Sequence, residues 1–356
     1  MDTQRQLQLN RITKLTTKSH CLESRSHSHT ASSELQILTR FIINMARALL
    51  FDMAARWWSE KTVAVVTGSN KGLGQAIARE LARNGVTVVS TARDTARGLA
   101  AVDSAVKEEP QLKEFLHFHQ LDVTADQSVA ELASYLQDTF GGVDILINNA
   151  AMQKFQSEVY EDAVDTIETN YFGTTRVTEK LLPLLRASPF GARIVMVSSQ
   201  VGQMENFEQN EYLKAKIQEA LEYKDEKIVD AIARKYLEDV KAGREKEENW
   251  AKNLFQYRES KVFMNIYTRV LAAQLASRPE GHKIYVNAIC PGAMKTDLLS
   301  SFKDKVGAAK AEELSATVRW TPIEKSATAV TSLALLPVNE CLHGKFLARD
   351  LEDRPW

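Results

Sequence analysis

The sequence has few cysteines, almost no net charge and no long uncharged apolar run. Its three cysteines, Cys21, Cys290 and Cys341, lie far apart in 356 residues, so the pattern predicts neither a disulfide framework nor a zinc site. The 45 Lys and Arg residues balance 46 Asp and Glu residues, which leaves no overall field to attract nucleic acid or an anionic membrane. We therefore expect no metal, no nucleic-acid partner and a reducing compartment.

Residues 1–58 differ in composition from the rest of the chain. They are rich in Ser, Thr, Arg and His, and charges interrupt their most apolar part, which falls short of the ~20 uncharged residues that span a bilayer. This composition fits a disordered tail and also an organelle transit peptide. A third interpretation is that translation starts at Met53, so that the residues before it are not part of the working protein. We expect a cytoplasmic protein without a membrane span, with a plastid or mitochondrion as the alternative location.

Residues 59–356 show the alternation of strands and helices that is typical of an α/β domain. Apolar runs predict strands at 63–66, 86–91, 115–121, 143–147 and 193–197, and helical periodicity predicts helices at 75–83, 124–140, 160–186 and 257–277. This order predicts one Rossmann-type, doubly wound, mostly parallel sheet of about seven strands with helices on both faces.

A glycine-rich segment follows the first predicted strand and leads into a helix. Glycines there let backbone N–H groups approach a pyrophosphate, and the helix N-terminus adds partial positive charge. An ordinary turn between a strand and a helix is the alternative interpretation. The candidate cofactor-binding residues of this loop are Gly68, Asn70, Lys71, Gly72, Leu73 and Gly74.

The second predicted strand ends at Ala92-Arg93-Asp94, where NAD enzymes typically place an acid for the ribose hydroxyl. Because Ala92 stands at that position, Arg93 and Lys71 are candidates to neutralise the 2′-phosphate of NADP. The alternative is that Arg93 only ends the strand or pairs with Asp94.

Small or polar residues follow the other strands, at the edge of the sheet where ligands bind. The segments are Asp122-Val123, Asn148-Asn149-Ala150-Ala151, Ser198-Ser199 and Cys290-Pro291-Gly292. Asp122 is placed to accept a hydrogen bond from an adenine amino group, but it could equally be the N-cap of the next helix, and Thr124 is an alternative cap.

Tyr257 and Lys261 lie four residues apart near the start of a predicted helix. That spacing puts both side chains on one helical face. Taken alone it is a weak signal, because a half-buried tyrosine beside a solvated lysine has the same spacing. The pair becomes informative because the glycine loop, the Asn-Asn-Ala segment and Ser199 all occur upstream of it in the sequence.

Together these motifs resemble the short-chain dehydrogenase/reductase family over residues 61–356. Within it, the chain is similar to the monomeric carbonyl reductases and the plant salutaridine-, menthone- and neomenthol-type reductases. The resemblance rests on Thr67-Gly68-x-x-x-Gly72-x-Gly74, Asn148-Asn149-Ala150, Asn170, Ser199, Tyr257-x-x-x-Lys261, Pro291-Gly292, Thr91-Ala92-Arg93-Asp94, the Leu333–Pro337 and His343–Phe346 segments and an insertion before Tyr257. Ala151 departs from the family, which often has Gly there.

The resemblance implies NADPH/NADP as cofactor and a catalytic set of Asn170, Ser199, Tyr257 and Lys261. Asn170 would hold a water path for the proton, although a polar residue that ties down a helix irregularity fits as well. Ser198 is the alternative to Ser199. The cofactor contacts outside the glycine loop are predicted to be Arg93, Asp122, Val123, Asn149, Ala150, Tyr257, Lys261, Pro291, Gly292, Met294 and Thr296.

Such a site would reduce a ketone, aldehyde or quinone to the alcohol. Hydride reaches the carbonyl carbon, Tyr257 donates a proton to the oxygen, and Ser199 donates a second hydrogen bond to it. The Lys261 ammonium is expected to lower the pKa of the phenol. Oxidation of an alcohol by NADP at the same site and a non-catalytic NADPH sensor or scaffold are the rival functions.

Residues 203–253 are rich in Glu and Lys, with apolar residues at helical spacing, which predicts two amphipathic helices. The resemblance implies that this insertion covers the surface used for tetramer formation elsewhere in the family and forms part of the substrate wall, so that the protein is a monomer. The alternative is a solvated hairpin without a role in recognition.

Overall fold

The computed structural model describes residues 56–154, 159–250, 255–294 and 320–355. The described residues from Trp57 onward belong to one compact unit. Within these ranges, no helix has the length and apolar character required to cross a membrane.

The strands of the described residues form one parallel sheet. Its order is β3-β2-β1-β4-β5-β6-β7, and every neighbouring pair is parallel. The strands are β1 (Val63–Val66), β2 (Thr87–Ala92), β3 (Leu116–Gln120), β4 (Ile145–Asn148), β5 (Ala192–Val197), β6 (Ile284–Ile289) and β7 (Phe346–Leu347). The predicted doubly wound, seven-stranded α/β fold is confirmed.

Helices connect these strands in the described part of the chain. They are α1 (Gly72–Arg83), α2 (Thr95–Glu108), α3 (Asp126–Phe140), α4 (Tyr160–Ile167), α5 (Gly173–Leu181), α6 (Glu211–Tyr223), α7 (Glu226–Ala242), α8 (Phe255–Leu275) and α9 (Ile323–Ala334). A π-helical turn, Glu168–Phe172, joins α4 to α5. Short 3₁₀ turns occur at Pro110–Glu114, Leu182–Leu184, Gln200–Gly202, Met204–Phe207 and Val338–Glu340.

The order of the strands reverses between β1 and β4. From β1 the chain builds outward through β2 to β3, and it then returns to pair β4 with the other side of β1. Such a reversal opens a crevice at the carboxyl ends of the two strands, because the connecting helices leave on opposite faces. The glycine loop follows β1 at this point, and Asn149 follows β4.

Apolar side chains cover both faces of the sheet in two separate clusters. One cluster includes residues of α3, α5, the insertion helices and α8, and the other includes residues of α1 and α9. Because both faces are buried, β1, β2 and β5 consist entirely of buried residues. This explains why their sequences do not alternate between apolar and polar residues.

Several predicted boundaries differ from the structure. Helix α1 begins at Gly72 rather than Gln75, so the last glycines of the loop belong to its first turn. The long helix predicted for 160–186 is interrupted by the π-helical turn and ends at Leu181, where Pro183 falls in a 3₁₀ turn. The two predicted helices of the insertion are present as α6 and α7.

Candidate active site

The glycine loop has a backbone that only glycine adopts easily. Gly68 and Gly72 have φ of 63° and 57°, in the left-handed region. A Cβ at Gly68 would lie 2.9 Å from Ala150 Cα, and one at Gly74 would lie 2.5 Å from the Gly68 oxygen. Helix α1 begins in this loop without a side-chain cap, so its first N–H groups point to a place that suits an anion.

The loop is held on both sides by neighbouring strands. Ser69 donates its backbone N–H to the Thr91 carbonyl at 2.8 Å. Asn149 Nδ2 donates to the carbonyls of Thr67 at 2.8 Å and Gly68 at 3.1 Å, and the backbone N–H of Ala150 donates to Thr67 Oγ1 at 2.9 Å. The candidates Asn149 and Ala150 are therefore brought to the glycine loop, and the Asn149 amide supports the loop backbone.

The end of β2 is followed by one positive side chain, Arg93, and by the carboxylate of Asp94, which is engaged in capping the next helix. Ala92 is buried, Arg93 is exposed, and Asp94 caps α2 by accepting a hydrogen bond from the Arg97 backbone N–H at 2.9 Å. Asp94 also lies 3.8 Å from the Arg97 guanidinium, so its ion pair is with Arg97 and not with Arg93. The contact between Ser69 and Thr91 brings this strand end to the loop that carries Lys71.

Asp122 does not cap a helix. Its Oδ1 accepts hydrogen bonds from Thr124 N–H at 2.9 Å and from Thr124 Oγ1 at 2.7 Å. Helix α3 begins later, with Ala125 at the N-cap and no side-chain cap bond. The alternative interpretations, in which Asp122 or Thr124 caps the helix, are therefore wrong, because the two side chains bond to each other in a local turn. Val123 is buried at the same strand end.

Tyr257 and Lys261 meet on one face of α8, at the carboxyl end of β5. Lys261 is 1% exposed, and its Nζ donates to the Val197 carbonyl at 2.8 Å and lies 5.4 Å from the centre of the Tyr257 ring. Val197 is the last residue of β5, two positions before Ser199. The alternative of a solvated lysine is therefore wrong.

Burial controls the ionisation of this pair. It lowers the pKa of Lys261 to about 7, although Cys290 opposes that change. It also raises the pKa of Tyr257, and nearby Cys290 adds to that increase. The expected lowering of the phenol pKa is thus not observed in this structure, because burial of the phenol, which disfavours the phenolate, dominates its pKa.

Ser198 and Ser199 have different environments. Ser198 is buried, and its Oγ lies 2.5 Å from Asn265 Oδ1. Ser199 is half-buried, and its Oγ accepts from the Val201 backbone N–H at 3.4 Å. Ser198 is thus committed to a structural hydrogen bond, whereas the Ser199 hydroxyl retains its hydrogen for another acceptor.

Asn170 lies fully buried in the π-helical turn and connects two other segments. Its Oδ1 accepts from the Met152 backbone N–H at 2.8 Å, and its Nδ2 donates to the Met152 carbonyl at 2.9 Å. The same Nδ2 donates to Ser260 Oγ at 3.0 Å. Asn170 therefore ties the segment after β4 to α8, next to Lys261. These hydrogen bonds agree with the alternative interpretation, in which Asn170 is a polar residue that holds an irregular helical turn in place.

Pro291 and Gly292 form the turn that follows β6. Ser326 Oγ donates to the Pro291 carbonyl at 2.7 Å. Gly292 has φ of 91°, and a Cβ there would lie 2.8 Å from Thr321 Oγ1. Met294 is half-buried against the core cluster beside α1, and the candidate Thr296 lies outside the described residues. Ala151 is exposed, so its additional methyl group is not packed into the core.

Sequence reasoning missed Ser260, Asn265 and the Val197 carbonyl. Each supports a candidate residue and none carries a recognisable motif, because the partner is a backbone group or a distant side chain. Ser260 and Asn265 both lie on α8: Asn265 is four residues after Lys261, so helical periodicity would have placed it on the same face, and Ser260 immediately precedes Lys261. Among the described residues, no group of three or more His, Cys, Asp or Glu residues is arranged to hold a metal ion.

Comparison with known proteins agrees with this geometry. A family model described as short chain dehydrogenase matches residues 62–218, and one described as enoyl-(acyl carrier protein) reductase matches residues 245–346. The chain is 38% identical over 307 residues to a (+)-neomenthol dehydrogenase of Arabidopsis thaliana, covering 80% of this chain and 95% of that protein. It is 36% identical over 295 residues to an NADPH carbonyl reductase of Sus scrofa, covering 81% and 92%.

The fold has a solved relative in salutaridine reductase from Papaver somniferum. The two chains share 30% identity with a TM-score of 0.66, over 80% of this chain and 99% of that one. The chain therefore belongs to the short-chain dehydrogenase/reductase family. It falls in the carbonyl-reductase-like group, as an oxidoreductase whose relatives include reductases of carbonyl compounds.

Proposed function

We propose that this chain reduces a small-molecule ketone, aldehyde or quinone with NADPH, with Tyr257 as the proton donor. The proposal depends mainly on one observation: Tyr257 and Lys261 lie together at the carboxyl end of β5. That strand ends at Val197, two residues before Ser199. The half-buried Tyr257 phenol can donate a proton, and the buried Lys261 amine beside it can stabilise the resulting phenolate when it is protonated.

NADPH suits the crevice between β1 and β4. The uncapped start of α1 and the left-handed Gly68 and Gly72 offer N–H groups to its pyrophosphate. Arg93 and Lys71 would neutralise the 2′-phosphate, and Ala92 leaves no acid to repel it. Asp122, Val123, Asn149, Ala150, Pro291, Gly292, Met294 and Thr296 complete the proposed contacts.

NADPH bound in this crevice would supply hydride to the carbonyl carbon. As negative charge grows on the carbonyl oxygen, Tyr257 transfers its hydroxyl proton to that oxygen, and Ser199 donates a hydrogen bond to it. Protonated Lys261 stabilises the phenolate that Tyr257 becomes, since an adjacent positive charge favours the anion. Asn170 keeps α8 and the segment after β4 in their relative positions.

The test is a panel of ketones, aldehydes and quinones, with NADPH and NADH supplied separately and nicotinamide absorbance followed. We expect oxidation of NADPH by at least one class. Tyr257→Phe should reduce turnover by at least about a hundredfold, the usual contribution of a general acid, while its affinity for NADPH stays within about twofold.

The matched control is Tyr223→Phe, because Tyr223 is 68% exposed on the insertion and should tolerate the change. Activity of Tyr257→Phe above a few per cent would exclude Tyr257 as the acid. Tight NADPH binding without turnover of any carbonyl would favour the sensor or scaffold, and faster oxidation of alcohols by NADP would favour the dehydrogenase.

A further inference from the structure

The π-helical turn Glu168–Phe172 contacts the insertion on its outer side. Tyr171 is fully buried, and its hydroxyl donates to Asp230 Oδ1 on α7 at 2.8 Å. The Arg234 guanidinium, four residues along α7, lies 4.9 Å from the centre of the Phe172 ring. Asp230 and Arg234 therefore share one face of α7, and that face contacts the two residues that follow Asn170.

The inner side of the same turn carries the side chain of Asn170. Its hydrogen bonds to Met152 and Ser260 connect the segment after β4 to the residue before Lys261. The Tyr171 ring lies 5.8 Å from Phe263 and 6.4 Å from Tyr267, both on α8. The turn is thus enclosed between the insertion on one side and the helix of Tyr257 and Lys261 on the other.

A π-helical turn is less stable than α-helix and needs support from its surroundings. The Gly173 N–H bonds to the Glu168 carbonyl, five residues back, which accommodates one residue more than an α-helical turn. Return to a regular α-helix would remove the extra residue from the turn and rotate the preceding residues by about 100° relative to those that follow. Such a rotation would remove the Asn170 amide from Met152 and Ser260.

The surroundings of Asp230 make its contact with Tyr171 specific. Asp230 is half-buried, and the titratable groups that interact with it are Tyr171, Tyr267, Arg234, Glu226, Asp225 and Glu179. The Asp230 carboxylate accepts its side-chain hydrogen bond from the Tyr171 hydroxyl. Loss of the carboxylate would leave a fully buried hydroxyl without its acceptor, which is more costly than loss of an exposed contact.

We propose that Asp230 of the insertion is a positioning residue for the active site. It acts through the Tyr171 hydroxyl, with Arg234 on Phe172, to hold the π-helical turn in the register in which Asn170 joins Met152 to Ser260. The insertion is then part of the catalytic architecture as well as a cover over α8. This inference rests on the proposed reductase function for its kinetic consequence only.

The kinetic experiment compares Asp230→Ala, Tyr171→Phe and the double variant with the wild type. We expect each single variant to lower kcat about five- to tenfold, the effect of one net hydrogen bond, with the KM for NADPH within about twofold. The double variant should be no slower than either single one, because both remove the same contact. Asp230→Asn keeps an acceptor oxygen and should restore kcat to within about twofold of the wild type.

The control is Glu238→Ala, an exposed acid on the same helix, which should leave kcat unchanged. Amide hydrogen exchange of residues 168–178 supplies a readout that needs no activity: Asp230→Ala should speed it, and Glu238→Ala should not. Additive losses in the double variant, or exchange in Asp230→Ala equal to that of the control, would overturn the inference. If the wild type reduces no carbonyl but exchange responds as expected, the proposed function fails and the positioning contact stands.

Discussion

Lys261 combines a fixed position with a charge that its surroundings disfavour. It is buried, bonded to a backbone carbonyl and has a pKa lowered by burial to about 7. Unfolded lysine has a pKa near 10.4, so the unfolded chain binds more protons at this residue between about pH 7 and pH 10. The contribution of Lys261 to the free energy of unfolding of the cofactor-free protein therefore increases as pH rises through that window.

We predict that Lys261→Met raises the melting temperature of the cofactor-free protein at pH 7 by more than it does at pH 9. Methionine has similar length and carries no proton, so the cost of burying an ammonium disappears. Thermal unfolding at the two pH values measures the difference between variant and wild type. A difference that is the same at both values, or larger at pH 9, would contradict the lowered pKa.

Arg93 has the opposite environment: it is exposed and has no ion pair to Asp94, and it follows strand β2, whose Thr91 contacts Ser69 of the glycine loop. We predict that the double variant Ala92→Asp with Arg93→Ala raises the KM for NADPH at least about tenfold more than the KM for NADH. The new acid repels a 2′-phosphate and accepts from a ribose hydroxyl instead. Steady-state kinetics with both cofactors tests this, with Arg97→Ala as the control. Equal changes in both KM values would remove Arg93 from the phosphate site.

At the scale of elements, the insertion is held by a buried charge. Asp239 on α7 is fully buried and accepts hydrogen bonds from Lys235 at 2.6 Å, Arg244 at 3.0 Å and Trp250 Nε1 at 3.0 Å. Burial opposes ionisation, but these hydrogen bonds outweigh it and lower the pKa of Asp239. The Trp250 ring lies 6.2 Å from Phe263 on α8, so this cluster connects the insertion to the helix of Tyr257.

We predict that Asp239→Ala lowers the free energy of unfolding at pH 7 by about 2–3 kcal/mol, because the buried Trp250 N–H loses its acceptor. Urea denaturation measures the change, and Glu238→Ala is the neighbouring exposed control. A lowered carboxyl pKa stabilises the fold above the unfolded pKa near 4, so the difference between wild type and variant should shrink as pH falls through that range. An unchanged urea midpoint at pH 7 would contradict the role of Asp239.

For the whole molecule, the insertion determines which helical surfaces stay exposed. Helix α7 packs against α4 and α8, and α6 also contacts α8. A second copy of the chain would have to displace these helices to reach the same surfaces. We predict a single-chain mass in solution by light scattering at about 1–50 µM protein. A dimer or tetramer mass throughout that range would refute this prediction.

The parts predicted from sequence were those with a local cause. The glycines of the loop, the apolar strands and the two helices of the insertion each follow from residues close together in the chain. The π-helical turn could not be predicted in this way, because residues 160–181 have one continuous helical pattern and the irregularity depends on distant Met152, Asp230 and Ser260. The alternative interpretation of Asp122 or Thr124 as a helix cap was wrong, because the preference of a residue type for caps does not locate the first helical turn.

By itself the sequence determined the fold family, the alternation of strands and helices and the residues proposed to react, because these depend on residue type and on spacing along the chain. Only the tertiary structure decided the ionisation of Tyr257 and Lys261, the commitment of Ser198 to Asn265 and the attachment of the insertion to the turn of Asn170. Burial and the partners of a hydrogen bond depend on segments that are remote in sequence and meet only when the sheet and its helices assemble.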